Sequence, residues 1–283
     1  MKLPVIRDRR NELQRGHEVW KPPVFQPSRT WVSRCAAVLR RFADLQASSI
    51  WNDLSCLLPV CQGSVLDVGC GAQPYRSLLP KEVSYSGIDT EDAGRRFGYS
   101  VPDTTYFSGS TWPVASSSVD LVLATETLEH IENPDQFLRE ACRVLRPDGW
   151  ILLTVPFSAR WHYIPWDYWR FTPSGLCLLL ERCGFEKPVV YGRGNEITVA
   201  CYKVLAVLFM LLLGDIRSPV RKCLARFTGI LCLPAVFVLC LTGQISLRMR
   251  SGPDCLGYTV LAAVRPDQRE NLLGAAEGVE KKS

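Results

Sequence analysis

The chain has 283 residues, of which 47% are hydrophobic and 22% charged, and its net charge is +5. That length accommodates one sizeable α/β domain with additions, and the mild charge without a dense basic run argues against a nucleic-acid partner. The twelve cysteines are scattered without a Cys-x-x-Cys pair, and there are only three histidines, so we expect reduced thiols and no metal site.

Residues 1–58 are predicted to form an N-terminal arm and a helical cap. The first 27 residues are polar and carry the sequence KPPVFQP, without the apolar core of a signal peptide. Together with the reduced thiols, this favours a cytoplasmic protein. From Ser28 to Leu58 apolar residues recur at helical spacing, which predicts one or two amphipathic helices packed on the main domain.

Residues 59–195 are predicted to form the core domain, in which strands and helices alternate. Strands are expected at 64–69, 84–88, 104–107, 119–124 and 150–155, and helices at 74–79, 134–145 and 173–183. Such alternation indicates a parallel sheet covered by helices on both faces. Two more strands are expected at 187–193 and 255–266, the second followed by a disordered tail over 267–283.

The stretch LDVGCGAQPY (66–75) places Gly69 and Gly71 directly after the first strand. A dinucleotide fingerprint needs a third glycine, but Pro74 stands in that position, and no Gly-Lys-Ser/Thr phosphate loop follows. The turn therefore predicts close backbone approach by a ligand without a diphosphate signature. Asp89 ends the second strand, where a carboxylate can accept hydrogen bonds from ribose hydroxyls.

The segment VDLVLATETLEHIENPDQFLREACRVLRPDGWILLTVPF (119–157), together with VLDVGCG, resembles the class I S-adenosylmethionine-dependent methyltransferases. The resemblance extends from about Gly63 to Phe185. It implies a Rossmann-like, doubly wound, seven-stranded α/β sheet whose last strand is antiparallel. It also implies S-adenosylmethionine as the methyl donor, with no metal.

The resemblance assigns cofactor-binding roles to five residues. Asp67, Gly69 and Gly71 match the motif that shapes the pocket around the methionine part of S-adenosylmethionine. Asp89 matches the acidic residue that holds the ribose. Thr125 lies where the fourth strand passes beside the cofactor.

Two positions depart from the family pattern. Ser108 stands near the place where many members carry an acidic residue that contacts adenine, so its hydroxyl or a backbone N–H is expected to serve there. The second glycine usually found before the fifth strand is Asp148, which a β-turn accepts well.

His130 follows the fourth strand, near the place where the family binds its methyl acceptor. It is a candidate base for a hydroxyl acceptor. The alternative is that it only organises the turn by hydrogen bonding. Glu126 and Glu129 have the same two interpretations.

The loop SARWHYIPWDYWRFT (158–172) is rich in aromatic residues and follows the fifth strand. His162, Asp167 and Tyr168 are the acceptor-side candidates there. The loop resembles a methyltransferase subgroup often linked to surface polysaccharide or lipid-linked glycan genes. The alternative is an aromatic lid that closes the core, with Asp167 simply paired to Arg170.

Residues 196–254 are predicted to form an apolar helical insertion. Its two apolar segments, 197–214 and 229–243, are short or interrupted for membrane-spanning helices, and a linker with Arg217, Arg221, Lys222 and Arg226 joins them. The connection leaves the sheet on the acceptor side, so we expect peripheral contact with the inner face of the membrane. An internal helical subdomain or a dimer face is the alternative.

The function predicted from these features is methyl transfer from S-adenosylmethionine to a small-molecule or lipid- or glycan-linked acceptor. A protein that binds S-adenosylmethionine without catalysis is a second interpretation. A nicotinamide oxidoreductase is a third, which Pro74 disfavours.

Overall fold

The computed structural model describes residues 30–97, 101–216 and 218–265, which form seven strands and eight α-helices. The predicted arm over 1–27 and the predicted tail over 267–283 lie outside the described residues. The strands are β1 (Ser64–Val68), β2 (Ser84–Thr90), β3 (Thr104–Phe107), β4 (Val119–Thr125), β5 (Leu145–Pro156), β6 (Phe185–Arg193) and β7 (Gly257–Val264).

The seven strands form one sheet in the order β3-β2-β1-β4-β5-β7-β6. The pairs from β3 through β5 are parallel, and β7 runs antiparallel to both β5 and β6. This topology confirms the predicted Rossmann-like fold. Because the order reverses between β1 and β4, a crevice opens at the carboxyl ends of these strands, where such sheets bind ligands.

The helices are α1 (Trp31–Ala43), α2 (Leu45–Leu57), α3 (Ala93–Phe97), α4 (Pro134–Val144), α5 (Pro173–Arg182), α6 (Glu196–Leu213), α7 (Pro219–Leu231) and α8 (Leu233–Ser246). Leu138 of α4 and Leu176 of α5 are fully buried in one core with the apolar side chains of β4 and β5. Leu54 of α2 is buried in a second core with side chains of β1, β4 and β5. Because side chains alternate across each strand, these cores cover the two faces of the sheet.

Two sequence expectations change in the structure. The helix predicted at 74–79 is wrong: only a short 3₁₀ turn, Arg76–Leu78, forms there. Leu79 precedes Pro80 and is extended, with ψ 144°, because the proline ring disfavours helical geometry in the residue before it. The fifth strand begins five residues earlier than expected, at Leu145, which pairs with Val119.

The apolar insertion packs on the N-terminal helices. Leu45, Val199, Leu205 and Cys240 belong to a third buried core that α2, α6 and α8 share. By length and composition, α6 is apolar enough to cross a membrane (18 residues, mean hydropathy 2.1), and α7 and α8, bent by 56°, pass the same test together. Only 22% of the 18 residues of α6 are buried, so much of the apolar surface of this helix faces outward.

Candidate functional site

A cavity of about 600 Å³ lies at the carboxyl ends of the central strands. This volume lies in the range of small-molecule sites. The sequence-predicted residues among its lining are Gly69, Gly71, Asp89, Thr125, Glu126, His130 and His162. The structure thus brings the glycine turn, the second-strand carboxylate and both candidate histidines to one cavity.

The glycine turn after β1 needs glycine at both positions. Gly69 and Gly71 have φ of 67° and 54°, in the left-handed region that glycine enters without strain. A Cβ added at Gly69 would also clash with the side chain of Thr127. The Gly69 N–H donates to the carbonyl oxygen of Ile88 at 2.9 Å, which ties the turn to β2. The turn therefore exposes backbone to the cavity.

The Asp89 carboxylate is buried at the edge of the glycine turn. Its Oδ2 accepts from the Gly71 N–H at 3.1 Å, and its Oδ1 accepts from the Thr90 N–H at 2.8 Å. These bonds fix the carboxylate at the end of β2, where it lines the cavity. A carboxylate held in this way can accept hydrogen bonds from a diol.

Asp67 lies beneath the turn and is not part of the cavity lining. Its Oδ2 accepts from the Tyr85 hydroxyl at 2.8 Å, and its Oδ1 has no hydrogen-bond partner among the described residues. Burial raises the pKa of Asp67 to about 7, although the hydrogen bond from Tyr85 acts to lower this pKa. The carboxyl group thus links β1 to β2 through Tyr85.

Thr125 and Ser108 differ in their position. Thr125 ends β4 and lines the cavity. The hydroxyl of Ser108 donates to Glu91, and Ser108 is not part of the lining, although its neighbours Phe107 and Gly109 are. An adenine contact through the Ser108 hydroxyl would require this bond to break.

The acceptor end of the cavity is built from the turn after β4 and the loop after β5. His130 Nδ1 lies 2.6 Å from the carbonyl oxygen of Trp166. Because a carbonyl oxygen only accepts, Nδ1 carries the proton in the neutral ring and donates it, leaving Nε2 as the basic nitrogen. Burial lowers the pKa of His130 to about 4, so the ring is neutral at pH 7.

Asp167 orients His162 and Arg170. His162 Nδ1 lies 2.9 Å from Asp167 Oδ2, and both Nη atoms of Arg170 donate to the same carboxylate at 2.6 and 2.7 Å. Burial opposes ionisation of Asp167, but hydrogen bonds from Arg170 and His162 outweigh it and lower the pKa of Asp167. The predicted Asp167–Arg170 pair is present, and Asp167 itself is not part of the cavity lining.

The aromatic loop is fastened to the turn that contains His130. The N–H groups of Tyr168 and Trp169 both donate to the carbonyl oxygen of Glu129, and the Tyr168 hydroxyl donates to Glu132 at 2.9 Å. Trp161, Tyr168 and Trp169 remain 37–41% exposed. Tyr168 is not part of the cavity lining, whereas Tyr163 of the same loop is.

Several residues of the cavity lining were not sequence candidates. Arg40 of α1 lines the cavity because α1 packs beside α8, where the Gln244 amide donates to the carbonyl oxygens of Arg41 and Phe42. Glu132 and Tyr163 also line the cavity. No local pattern marks Arg40, since its place depends on contacts between distant segments.

The model of a family described as "Methyltransferase domain" matches residues 29–187 of the chain, which is more than half of its length. The chain belongs to this methyltransferase family. Family membership implies S-adenosylmethionine as the methyl donor, and the relatives include proteins whose names state methyl transfer.

Relatives of this methyltransferase match part of its length. It is 32% identical over 143 residues to a "Probable S-adenosylmethionine-dependent methyltransferase" of Mycolicibacterium smegmatis, covering 44% of the chain and 53% of the relative. It is 33% identical over 98 residues to phthiotriol/phenolphthiotriol dimycocerosates methyltransferase 1 of Mycobacterium ulcerans. That match covers 32% of the chain and 36% of the relative. The chain spans between 32% and 60% of the length of the first curated relatives it matches.

Among solved structures, the methyltransferase is similar to a SAM-dependent methyltransferase from Archaeoglobus fulgidus. The two share 16% identity with a TM-score of 0.47, covering 81% of this chain and 99% of the other.

Proposed function

We propose that this protein transfers a methyl group from S-adenosylmethionine to a small-molecule acceptor or to a lipid- or glycan-linked acceptor. The observation that carries the proposal is the single cavity that contains both the glycine turn with Asp89 and the two histidines. S-adenosylmethionine supplies an activated methyl group whose leaving thioether needs no acid, so the chain contributes chiefly alignment and exclusion of water.

The residues at the strand ends fit S-adenosylmethionine. The backbone of Gly69 and Gly71 accommodates the methionine part, because these positions have positive φ and no Cβ. Asp89 accepts hydrogen bonds from the ribose hydroxyls. Thr125 and Phe107 also line this cavity. No residue is assigned to adenine in this proposal, since the hydroxyl of Ser108 donates to Glu91.

The acceptor binds at the histidine end of the cavity in this proposal. His130 is neutral and its Nε2 carries the lone pair of the ring, and His162 is oriented by Asp167. The aromatic loop, including Tyr168, selects the acceptor through partly exposed rings and hydrogen-bonding groups. Its DYWRFT sequence favours the subgroup linked to surface or lipid-linked glycans.

A lipid acceptor is favoured by the exposed apolar surface of α6, α7 and α8. The side chains of Phe227, Phe237 and Val238 are 58–60% exposed. The rings of Phe42 and Phe237 lie 5.8 Å apart, so this surface continues onto α1, the helix whose Arg40 lines the cavity. One relative is named as a phthiotriol methyltransferase. We propose peripheral docking on the cytoplasmic leaflet, which the twelve free cysteines also favour.

The competing functions make different predictions. A non-catalytic scaffold would bind S-adenosylmethionine but transfer no methyl group. A nicotinamide oxidoreductase would bind NAD. Incubation of the purified protein with S-adenosyl-[methyl-³H]methionine and a lipid extract should yield a labelled product. Binding without any labelled product from lipid or polar extracts would favour the scaffold, and NAD binding without S-adenosylmethionine binding would overturn the proposal.

Asp89→Ala should weaken S-adenosylmethionine binding by about 1–3 kcal/mol, because the ribose hydroxyls lose a charged acceptor. Calorimetry with S-adenosylmethionine and its demethylated product measures the effect. Asp92→Ala is the matched control, since Asp92 stands three residues further on and pairs with the exposed Arg95 at 2.8 Å. Unchanged affinity in a folded Asp89→Ala variant would remove Asp89 from the site.

A further inference from the structure

Glu129, His130 and His162 form a cluster that the methyl-transfer proposal does not fully use. One potential ligand atom from each residue lies within 4.8 Å of the other two. Glu129 and His130 belong to the turn after β4, and His162 belongs to the aromatic loop. The cluster therefore depends on the docking of that loop, in which Tyr168 and Trp169 donate to the Glu129 carbonyl oxygen.

The Glu129 carboxylate is the least satisfied group in this cluster. Its side chain is fully buried, and neither carboxylate oxygen has a hydrogen-bond partner among the described residues. A buried carboxylate without partners is costly unless it is neutralised or coordinates a metal. Its Oε1 lies 3.7 Å from His130 Nε2, close to the separation of about 3 Å between ligands of one metal ion.

Both histidines are held in the tautomer that metal binding requires. His130 Nδ1 donates to the Trp166 carbonyl oxygen. His162 Nδ1 lies 3.1 Å from the Arg160 carbonyl oxygen and 2.9 Å from Asp167 Oδ2, and both of these oxygens are acceptors. In each ring Nε2 therefore carries the lone pair. Metal-binding histidines characteristically donate their other nitrogen to a carbonyl or carboxylate oxygen in this way.

The geometry points to a binding site for one divalent transition-metal ion, held by the Glu129 carboxylate and the Nε2 atoms of His130 and His162. Two imidazoles and one carboxylate suit ions such as Zn²⁺, Fe²⁺ or Co²⁺ and leave coordination positions open. Because His130 and His162 line the cavity, those positions face the methyl acceptor.

An ion at this position specifies the acceptor class, an inference that rests on the proposed function. A hydroxyl oxygen bound to the ion has a lowered pKa and loses its proton to water. The oxygen lone pair then forms a bond to the methyl carbon. The carbon–sulfur bond breaks, and its electron pair stays on sulfur, giving the neutral thioether. The site thus favours an oxygen acceptor over a thiol or an amine.

The test uses the purified full chain, treated with a chelator that is then removed, and titrated with Co²⁺ and Zn²⁺. We expect one bound ion per chain, with a visible Co²⁺ absorption band that Zn²⁺ abolishes. Glu129→Gln and His162→Asn should each weaken Co²⁺ binding at least tenfold. Glu132→Gln is the matched control, since Glu132 lines the same cavity outside the cluster and should keep wild-type affinity.

S-adenosylmethionine calorimetry on the same samples separates this inference from the proposed function. Both cluster variants should keep their affinity for S-adenosylmethionine, which also shows that they are folded. Absence of Co²⁺ binding by the wild-type chain, or wild-type Co²⁺ affinity in Glu129→Gln, would overturn the metal site while leaving the methyl-donor site intact. Loss of S-adenosylmethionine binding by the wild-type chain would instead overturn the proposed function.

Discussion

Arg193→Ala is expected to lower the free energy of unfolding by about 3 kcal/mol, because it removes one partner of a buried ion pair. Arg193 ends β6 with its side chain fully buried, and its Nη2 lies 2.7 Å from Glu126 Oε1. The same guanidinium donates to the Val155 carbonyl oxygen at 3.0 Å and to the Ser49 hydroxyl at 3.2 Å. Its loss leaves three acceptors without their donor and an empty volume between β5, β6 and α2.

Urea unfolding followed by tryptophan fluorescence measures this cost. Arg146→Ala is the matched control: Arg146 pairs with Asp120 at 2.6 Å, but the two side chains are 49% and 34% exposed. An exposed pair contributes about 0–1 kcal/mol, so this control should be nearly neutral. An equal decrease in the free energy of unfolding in the two variants would contradict the structural role of Arg193.

Comparing the double variant Arg193→Met/Glu126→Gln with Arg193→Met alone distinguishes the charge from the packing. Both variants refill the space, so any stability that only the double variant regains comes from neutralising the Glu126 charge. Glu126 is 26% exposed, so water solvates part of its charge in the single variant. The difference between the two variants therefore measures the cost of the uncompensated charge.

The sheet could be predicted from sequence because its signals are local. β1, β4 and the second half of β5 contain short apolar runs, and the glycines after β1 mark the turn through their backbone requirements. The structure places Asp89 in the cavity lining at the end of β2, where it accepts from the Gly71 N–H, and its contact with ribose stays a prediction. Strand alternation and turn chemistry depend on neighbours in the chain, so the sequence displays them directly.

The features missed depend on contacts between distant segments. The sequence KPVVYGR gave no sign that Arg193 would reach Glu126 across the sheet. Nothing local marked Arg40 as a cavity residue, nor Glu129 as a buried carboxylate beside both histidines. The helix predicted at 74–79 is only a 3₁₀ turn, and Leu79 before Pro80 is extended. Tertiary packing determines these features, and a pattern search cannot see it.

Docking on lipid rather than spanning is expected from the way α6 is anchored. One side of its first half packs in the core: Thr198 and Leu205 are buried, and the hydroxyls of Thr198 and Ser246 lie 2.6 Å apart. Residues 206–213 extend about 12 Å at 1.5 Å per residue, whereas a bilayer core is about 30 Å thick. The outer surface of α7 and α8 is apolar instead, with these residues 45–79% exposed: Val220, Leu224, Phe227, Ile230, Leu231, Leu233, Phe237, Val238, Leu241 and Ile245.

The linker's positive charge adds attraction to an anionic surface. Arg221 and Lys222 are exposed, while Arg226 is engaged at the end of α6, where it donates to the carbonyl oxygens of Leu211 and Gly214. Arg217 lies outside the described residues. Each exposed basic residue contributes about 1 kcal/mol near anionic headgroups, and salt weakens this attraction. Binding to anionic vesicles should therefore fall with rising salt but persist through the apolar contact.

Phe227→Glu/Phe237→Glu should weaken binding to anionic vesicles by about a hundredfold or more. Both rings are about 60% exposed, and losing about 1.5 kcal/mol of apolar burial for each corresponds to that factor. Flotation with phosphatidylglycerol-containing vesicles measures it. Leu178→Glu is the matched control, since Leu178 of α5 is 63% exposed but lies outside the insertion. If the double variant floats with vesicles as the wild type does, lipid docking by this surface is refuted. If the wild type is a dimer in sedimentation and does not bind vesicles, the apolar surface is a protein interface. In that case the acceptor need not be membrane-bound.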